Sequence, residues 1–221
     1  GNYLISAHYG DMALGTFIEY VENSEYYDNT VFVFYGDHDA RLAKSEYQYY
    51  YNYNTETGEL YEEGDPEYVE YNNFHHEVNK RTPLIIWTKN NKIAKKIRKT
   101  NDNVMGMYDV MPTLANMMNF EAKYALGHDI YDIGADNVVI FPNGNFITNK
   151  VYYNNSNGNY LILNQDTDTG GVVINEDYIN DLKEYTERVL TVSNDIVVHD
   201  LIKKEGNNIQ IVEEESEVVG E

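Results

Sequence analysis

The chain has no cysteine in its 221 residues. That excludes a disulfide framework and a thiolate metal centre, and it is compatible with export without requiring it. Basic residues are scarce: 16 Lys and Arg stand against 37 Asp and Glu, for a net charge of −21. Nucleic acid is therefore not an expected partner, because phosphate binding needs clustered cations. The same charge favours solubility and cation binding. It repels an anionic membrane surface unless the carboxylates face away. No apolar run approaches the ~18 residues of a membrane span, and no signal peptide opens the chain.

What is present suits one domain, or most of one, with a substantial core. The 22 tyrosines, with abundant Asn, read as compositional bias. The organising stretch is residues 30–40, TVFVFYGDHDA. Its β-branched and aromatic run reads as a buried strand ending at Gly36-Asp37-His38. In open α/β sheets, ligands bind at the carboxyl ends of strands. Asp37 and His38 there offer a hard oxygen and an imidazole nitrogen, a set suited to Zn or Mn. Gly36 would let the backbone turn so that both face one ion, since successive side chains of a straight strand point to opposite faces. Read alone, the tripeptide is better read as a surface turn, with His38 a surface histidine; the metal reading rests on its context in the chain.

Around this stretch the chain reads as follows. Residues 3–6, YLIS, read as a short strand, and residues 11–21 as a helix with Asp11 as its cap or first-turn acid. His8 reads as a surface or capping residue. Helix formers in 41–51 run into an aromatic cluster. Residues 52–71 form a polar, acidic surface excursion whose spacing does not match an EF-hand. His75 and His76 read as a polar loop pair, with metal ligation as the alternative. Pro83 suits a strand start, and residues 84–87 read as a buried strand. Lys89, Lys92, Lys95, Lys96, Arg98 and Lys99 form a basic cluster: a solvated face, or a contact for lipid headgroups or polymer phosphates.

Residues 108–120 read as an amphipathic helix, with Pro112 in its first turn and its methionines packing the core. Residues 137–148 read as a hairpin turning at Pro142-Asn143-Gly144. Residues 150–163 and 171–174 read as further strands of a smaller antiparallel sheet. Residues 177–190 read as a helix, with a further helical turn in 194–202. Residues 205–221 are acidic and read as disordered or linker.

Several landmarks occur in a fixed order. After the strand and GDH come Arg81-Thr82-Pro83-Leu84-Ile85-Ile86-Trp87, Tyr108-Asp109-Val110-Met111-Pro112-Thr113-Leu114, and Leu126-Gly127-His128-Asp129-Ile130-Tyr131. The likeness continues through residues 138–148, ending in PNGNFIT. Together they resemble the lipoteichoic acid synthase family, which are phosphoglycerol transferases of the alkaline phosphatase/sulfatase superfamily. The resemblance covers roughly residues 3–203 and corresponds to the C-terminal half of the family's extracellular catalytic domain.

The resemblance implies part of an alkaline-phosphatase-like α/β/α sandwich, with a smaller antiparallel C-terminal sheet and a C-terminal helix. The implied divisions are 1–135 for the core half, 136–204 for the small subdomain and 205–221 for the tail. It implies a divalent metal, Mn foremost with Zn or Mg as alternatives, held in part by Asp37 and His38. It implies phosphatidylglycerol and a glycerophosphate polymer as substrates, at the extracellular face of a Gram-positive-type membrane. In that family a threonine nucleophile and a metal-binding glutamate lie far upstream of GDH, and no threonine here occupies the matching motif. The upstream half of the catalytic domain is thus an implied partner, and the chain alone is expected to be inactive. Two alternatives stand beside this reading: a sulfatase or phosphoesterase of the same superfamily, and a non-catalytic module binding cations or polymer.

Overall fold

The structure, a computed structural model, describes residues 2–163 and 173–206. It is a mixed α/β chain with two small antiparallel sheets and C-terminal helices. Two compact units meet in sequence between Thr100 and Asn101.

The first unit begins with α1, Asn2–Glu22. Residues 3–6, expected as a strand, are its first turns. Four apolar residues cannot separate strand from helix, and here they continue the helical register of Met12, Phe17 and Val21. Asp11 consequently sits mid-helix and caps nothing. α1 buries none of its residues, and Ile5, Tyr9, Met12 and Tyr20 are more than half exposed. A 3-10 turn, Tyr27–Asn29, leads into β1, Phe32–Tyr35.

β1 pairs antiparallel with β2, Leu84–Trp87, in the register Phe32 opposite Trp87 and Tyr35 opposite Leu84. The strand start is fixed by rings: Trp87 lies 5.3 Å from Phe32 and 5.7 Å from Tyr27. The buried Thr88 hydroxyl donates to the Thr30 carbonyl at 2.8 Å. Both strands were expected to be buried. Only Phe32 is, while Ile85 and Trp87 are exposed, because this sheet has two strands and each keeps a face that neither covers.

α2, Lys44–Tyr51, and α3, Asn73–Val78, follow the strand end. The excursion between them is pinned more firmly than its polarity suggests. Asn52 is 3% exposed. Its amide donates to the Val69 carbonyl and accepts from the Val69 N–H, while Gln48 holds the Tyr71 N–H at 2.7 Å. α4, Asn91–Ile97, is capped by Asn90, whose side chain accepts from Lys92 and Ile93 N–H.

The second unit is organised on Asp109, at the entry to α5, Val110–Met118. Asp109 is fully buried. Its carboxylate accepts from Gly106 N–H at 2.7 Å and from His128 N–H at 2.8 Å. Thr113, also fully buried, donates to the Asp109 carbonyl and accepts from Ile130 N–H. The YDVMPT and LGHD landmarks are therefore one junction. A Cβ on Gly127 would collide with the Tyr108 carbonyl and the Asp109 carboxylate. The methionines do not pack as expected: Met111 and Met118 are more than half exposed, because Val110, Thr113 and Ala115 fill the inner face.

Asparagine abundance is in part structural. Asn101 and Asn103 donate to the Ile130 and Ile133 carbonyls, Asn137 to Val104, and Asn149 accepts from Val104 N–H. Beyond them β3, Val139–Ile140, β4, Phe146–Ile147, β5, Val151–Asn154, and β6, Asn159–Ile162, form an antiparallel meander in chain order. The first hairpin turns at Gly144, whose φ of 82° favours glycine. Phe146, Val151 and Tyr153 of this sheet pack with Ile179 of α6, Glu176–Val198. Phe146 stacks on Tyr153 at 4.8 Å. Asn175 caps α6 and accepts from Tyr178 N–H, and Glu176 and Asp177 complement the helix dipole.

α6 runs past the expected residue 190 and absorbs the start of the turn assigned to 194–202; α7, Leu201–Gly206, follows. Of the strand expected over 171–174, residues 171 and 172 lie outside the described residues, and Val173 and Ile174 are not in a strand. Residues 207–221 also lie outside them.

Candidate metal centre

The candidate centre lies at the carboxyl end of β1. Gly36 continues the ladder there, donating to the Pro83 carbonyl at 3.3 Å. Thr82 donates to the Gly36 carbonyl at 3.1 Å. A Cβ on Gly36 would stand 2.7 Å from Thr82 Cβ. The glycine is needed for this close approach of two chain segments. It is not among the residues with positive φ, so the expected role as a freely turning hinge is not the one it plays. The GDH and RTPLIIW landmarks are thus joined at one strand end.

The chain then bends, and Asp37 and His38 project from adjacent positions. Their side chains are 86% and 49% exposed. His38 Nδ1 lies 2.6 Å from the Asp39 carbonyl oxygen. A carbonyl only accepts, so Nδ1 carries a proton, which leaves Nε2 as the nitrogen that can offer a lone pair. Nε2 stands 3.6 Å from Asp37 Oδ1. That is the spacing of two ligands sharing one ion, each about 2.1 Å from it. A backbone carbonyl on the other ring nitrogen is the usual outer support of a metal-binding histidine. The donor set suits a divalent ion, and the pair fits it as two ligands.

The loop that follows is held by its own polar groups. Asp39 accepts from Arg41 N–H at 3.1 Å, with Arg41 in the left-handed region at φ 51°. Glu46 reaches back to Ala43 N–H at 2.9 Å and starts α2. Among the described residues, no group of three His, Cys, Asp or Glu is placed to hold a metal.

His75 and His76 are helical, in α3, and not the loop pair expected. Asn72 accepts from His75 N–H and lies 3.0 Å from its Nδ1. His76 Nδ1 lies 3.2 Å from the Tyr71 hydroxyl. Tyr71 stacks on Tyr47 at 5.3 Å and lies 6.0 Å from the His75 ring. Burial raises the Tyr47 hydroxyl pKa above its ordinary value, and the nearby Asp39 charge adds to it. This tyrosine–histidine cluster braces α2 against α3. Sequence reading missed it because its members are spread over residues 47–79 without periodicity; the capping pattern Asn72-x-x-His75 was its one local signal.

The pattern of the sulfatase family matches residues 1–120. Over 210 residues the chain is 30% identical to lipoteichoic acid synthase 1 of Bacillus subtilis (strain 168). Over 211 residues it is 30% identical to lipoteichoic acid synthase of Staphylococcus aureus (strain USA300). Each alignment covers 91% of this chain and 28% of the relative. The chain thus spans little more than a quarter of the length of these curated relatives.

Proposed function

The chain belongs to the sulfatase family, and from that premise we propose that it is part of a metal-dependent phosphoglycerol transferase. The whole enzyme moves glycerophosphate from phosphatidylglycerol to a cell-envelope polymer, at the extracellular face of a Gram-positive-type membrane. The observation that carries this reading is the pair of open ligands at the end of β1, Asp37 Oδ1 and His38 Nε2, 3.6 Å apart. It lies within an alignment to lipoteichoic acid synthases that covers 91% of the chain.

In this reading Asp37 supplies an anionic oxygen and His38 a nitrogen to a divalent ion, Mn foremost, with Zn or Mg as alternatives. The ion lowers the pKa of a hydroxyl nucleophile and offsets charge on the phosphoryl oxygens. The Asp39 carbonyl holds the imidazole tautomer in which Nε2 can bind. The nucleophile and the remaining ligands come from an upstream half of the catalytic domain. The uncovered apolar residues of α1 support such a partner, since large apolar side chains left exposed along one helix are suited to packing against another segment.

Reading the gene upstream of Gly1 and assaying its whole product with a fluorescent phosphatidylglycerol analogue and Mn²⁺ tests this. Release of labelled diacylglycerol, lost in Asp37→Ala, is expected. A Cys-x-Pro-Ser-Arg motif upstream together with aryl-sulfate hydrolysis would move the chain to a sulfatase instead.

A further inference from the structure

We infer that α4 is a docking face for an anionic phospholipid bilayer. The chain carries a net charge of −21, yet residues 78–101 contain no Asp or Glu. Within that stretch Lys92, Lys95 and Lys96 lie at i, i+3 and i+4 on α4, one face of the helix, and all are exposed. Ala94 and Ile97 turn to the half-buried side. Arg98 follows at the helix end and is also exposed. Lys89 is spoken for: it pairs with Asp28 at 2.9 Å and lies over the Tyr27 ring. Among the described residues no ion pair occupies Lys92, Lys95, Lys96 or Arg98. An acidic chain thus presents a local face of free cations that its own carboxylates do not neutralise.

The chemistry of the face selects its partner. Lysine is a point charge suited to diffuse phosphates, whereas planar two-point recognition favours arginine. The face is a helix surface, not a groove, so it fits a plane of charge better than a threaded strand. Ile93 is 37% exposed beside the lysines, so an apolar side chain is available to enter the headgroup layer that the neighbouring cations contact. The remaining negative charge does not prevent this, because charges more than about 8 Å away are screened at physiological salt.

The inference is independent of the Asp37–His38 reading, and its test avoids the proposed substrate. The 221-residue chain is sedimented with phosphatidylserine–phosphatidylcholine vesicles and with pure phosphatidylcholine vesicles, without divalent metal. Each cation near an anionic bilayer strengthens partition roughly fivefold. The triple variant Lys92→Gln, Lys95→Gln, Lys96→Gln is therefore expected to bind the anionic vesicles about 100-fold less. The matching Lys→Arg variant retains binding, and binding falls as salt is raised. Absence of binding to anionic vesicles, equal binding to neutral ones, or equal binding by the Gln variant would overturn the inference. Binding to soluble polyphosphate but not to vesicles would overturn it in favour of a polymer partner.

Discussion

The two units bury their apolar residues to different extents. In the second, Phe146 and Val151 are fully buried, Tyr153 and Ile179 nearly so, and Asp109 and Thr113 at the junction are fully buried. In the first, α1 buries nothing, and Ile85 of β2 is 54% exposed. The first unit, which carries Asp37 and His38, leaves many of its large apolar side chains uncovered, with Tyr27, Phe32 and Tyr47 buried. On the proposal that other segments complete the catalytic site, those uncovered side chains are where they would pack.

The largest expected effect is in the self-sufficient core. Phe146→Ala removes a fully buried ring stacked on Tyr153 and should destabilise the chain by about 3–5 kcal/mol in urea unfolding. Leu14→Ala, in α1, should change stability by less than about 0.5 kcal/mol. Comparable losses from the two would erase the contrast.

A smaller contrast lies in the glycines. Gly127→Ala drives a Cβ into backbone and a buried carboxylate, and should cost about 2–3 kcal/mol. Gly36→Ala meets the Thr82 side chain first, at a half-buried strand end, and should cost about 1 kcal/mol. Thermal melts of the two variants check the order.

The landmark motifs were legible in the sequence, but their division of labour was not. β1 and β2 stand at the expected apolar runs, and the hairpin at Pro142-Asn143-Gly144 has the expected turn. Residues 3–6 were misread because a four-residue apolar run lacks a period. Burial was over-read in β2 because β-propensity signals a strand without saying how many neighbours cover it. The Asp109–Gly127–Thr113 junction was invisible because its partners are separated by up to 19 residues and joined through backbone N–H groups, which no side-chain pattern encodes. Of the candidate centre, residue types and position were readable. The Asp39 carbonyl that sets the His38 tautomer was not, since it depends on how the loop bends.

The smallest stability effect is a pH dependence in the second unit. The Tyr108 hydroxyl is pushed up to about 12, by burial first, with the Asp109 charge adding to it. It donates to the Val138 carbonyl and accepts from Ile140 N–H at 2.9 Å. A folded-state pKa above the unfolded value of 10.0 means the unfolded chain loses this proton first. The contribution is complete below pH 10 and is lost as pH rises towards 12. The residue keeps 38% of its surface in solvent, so the loss is smaller than full burial would give. Tyr108→Phe should flatten the stability profile between pH 10 and 12. An unchanged profile would show that the hydroxyl titrates alike in both states.

The central claim is that Asp37 and His38 are two ligands of a site completed by another segment. Calorimetric titration of the 221-residue chain with Mn²⁺ and Zn²⁺, in the wild type and in His38→Ala, tests it most directly. Two ligands hold a transition ion weakly, because such a catalytic site ordinarily draws on three or more protein groups. The account predicts weak binding, and little change in melting temperature with added metal. Tight binding of one ion per chain, abolished in His38→Ala, would contradict it and place a third ligand within this chain.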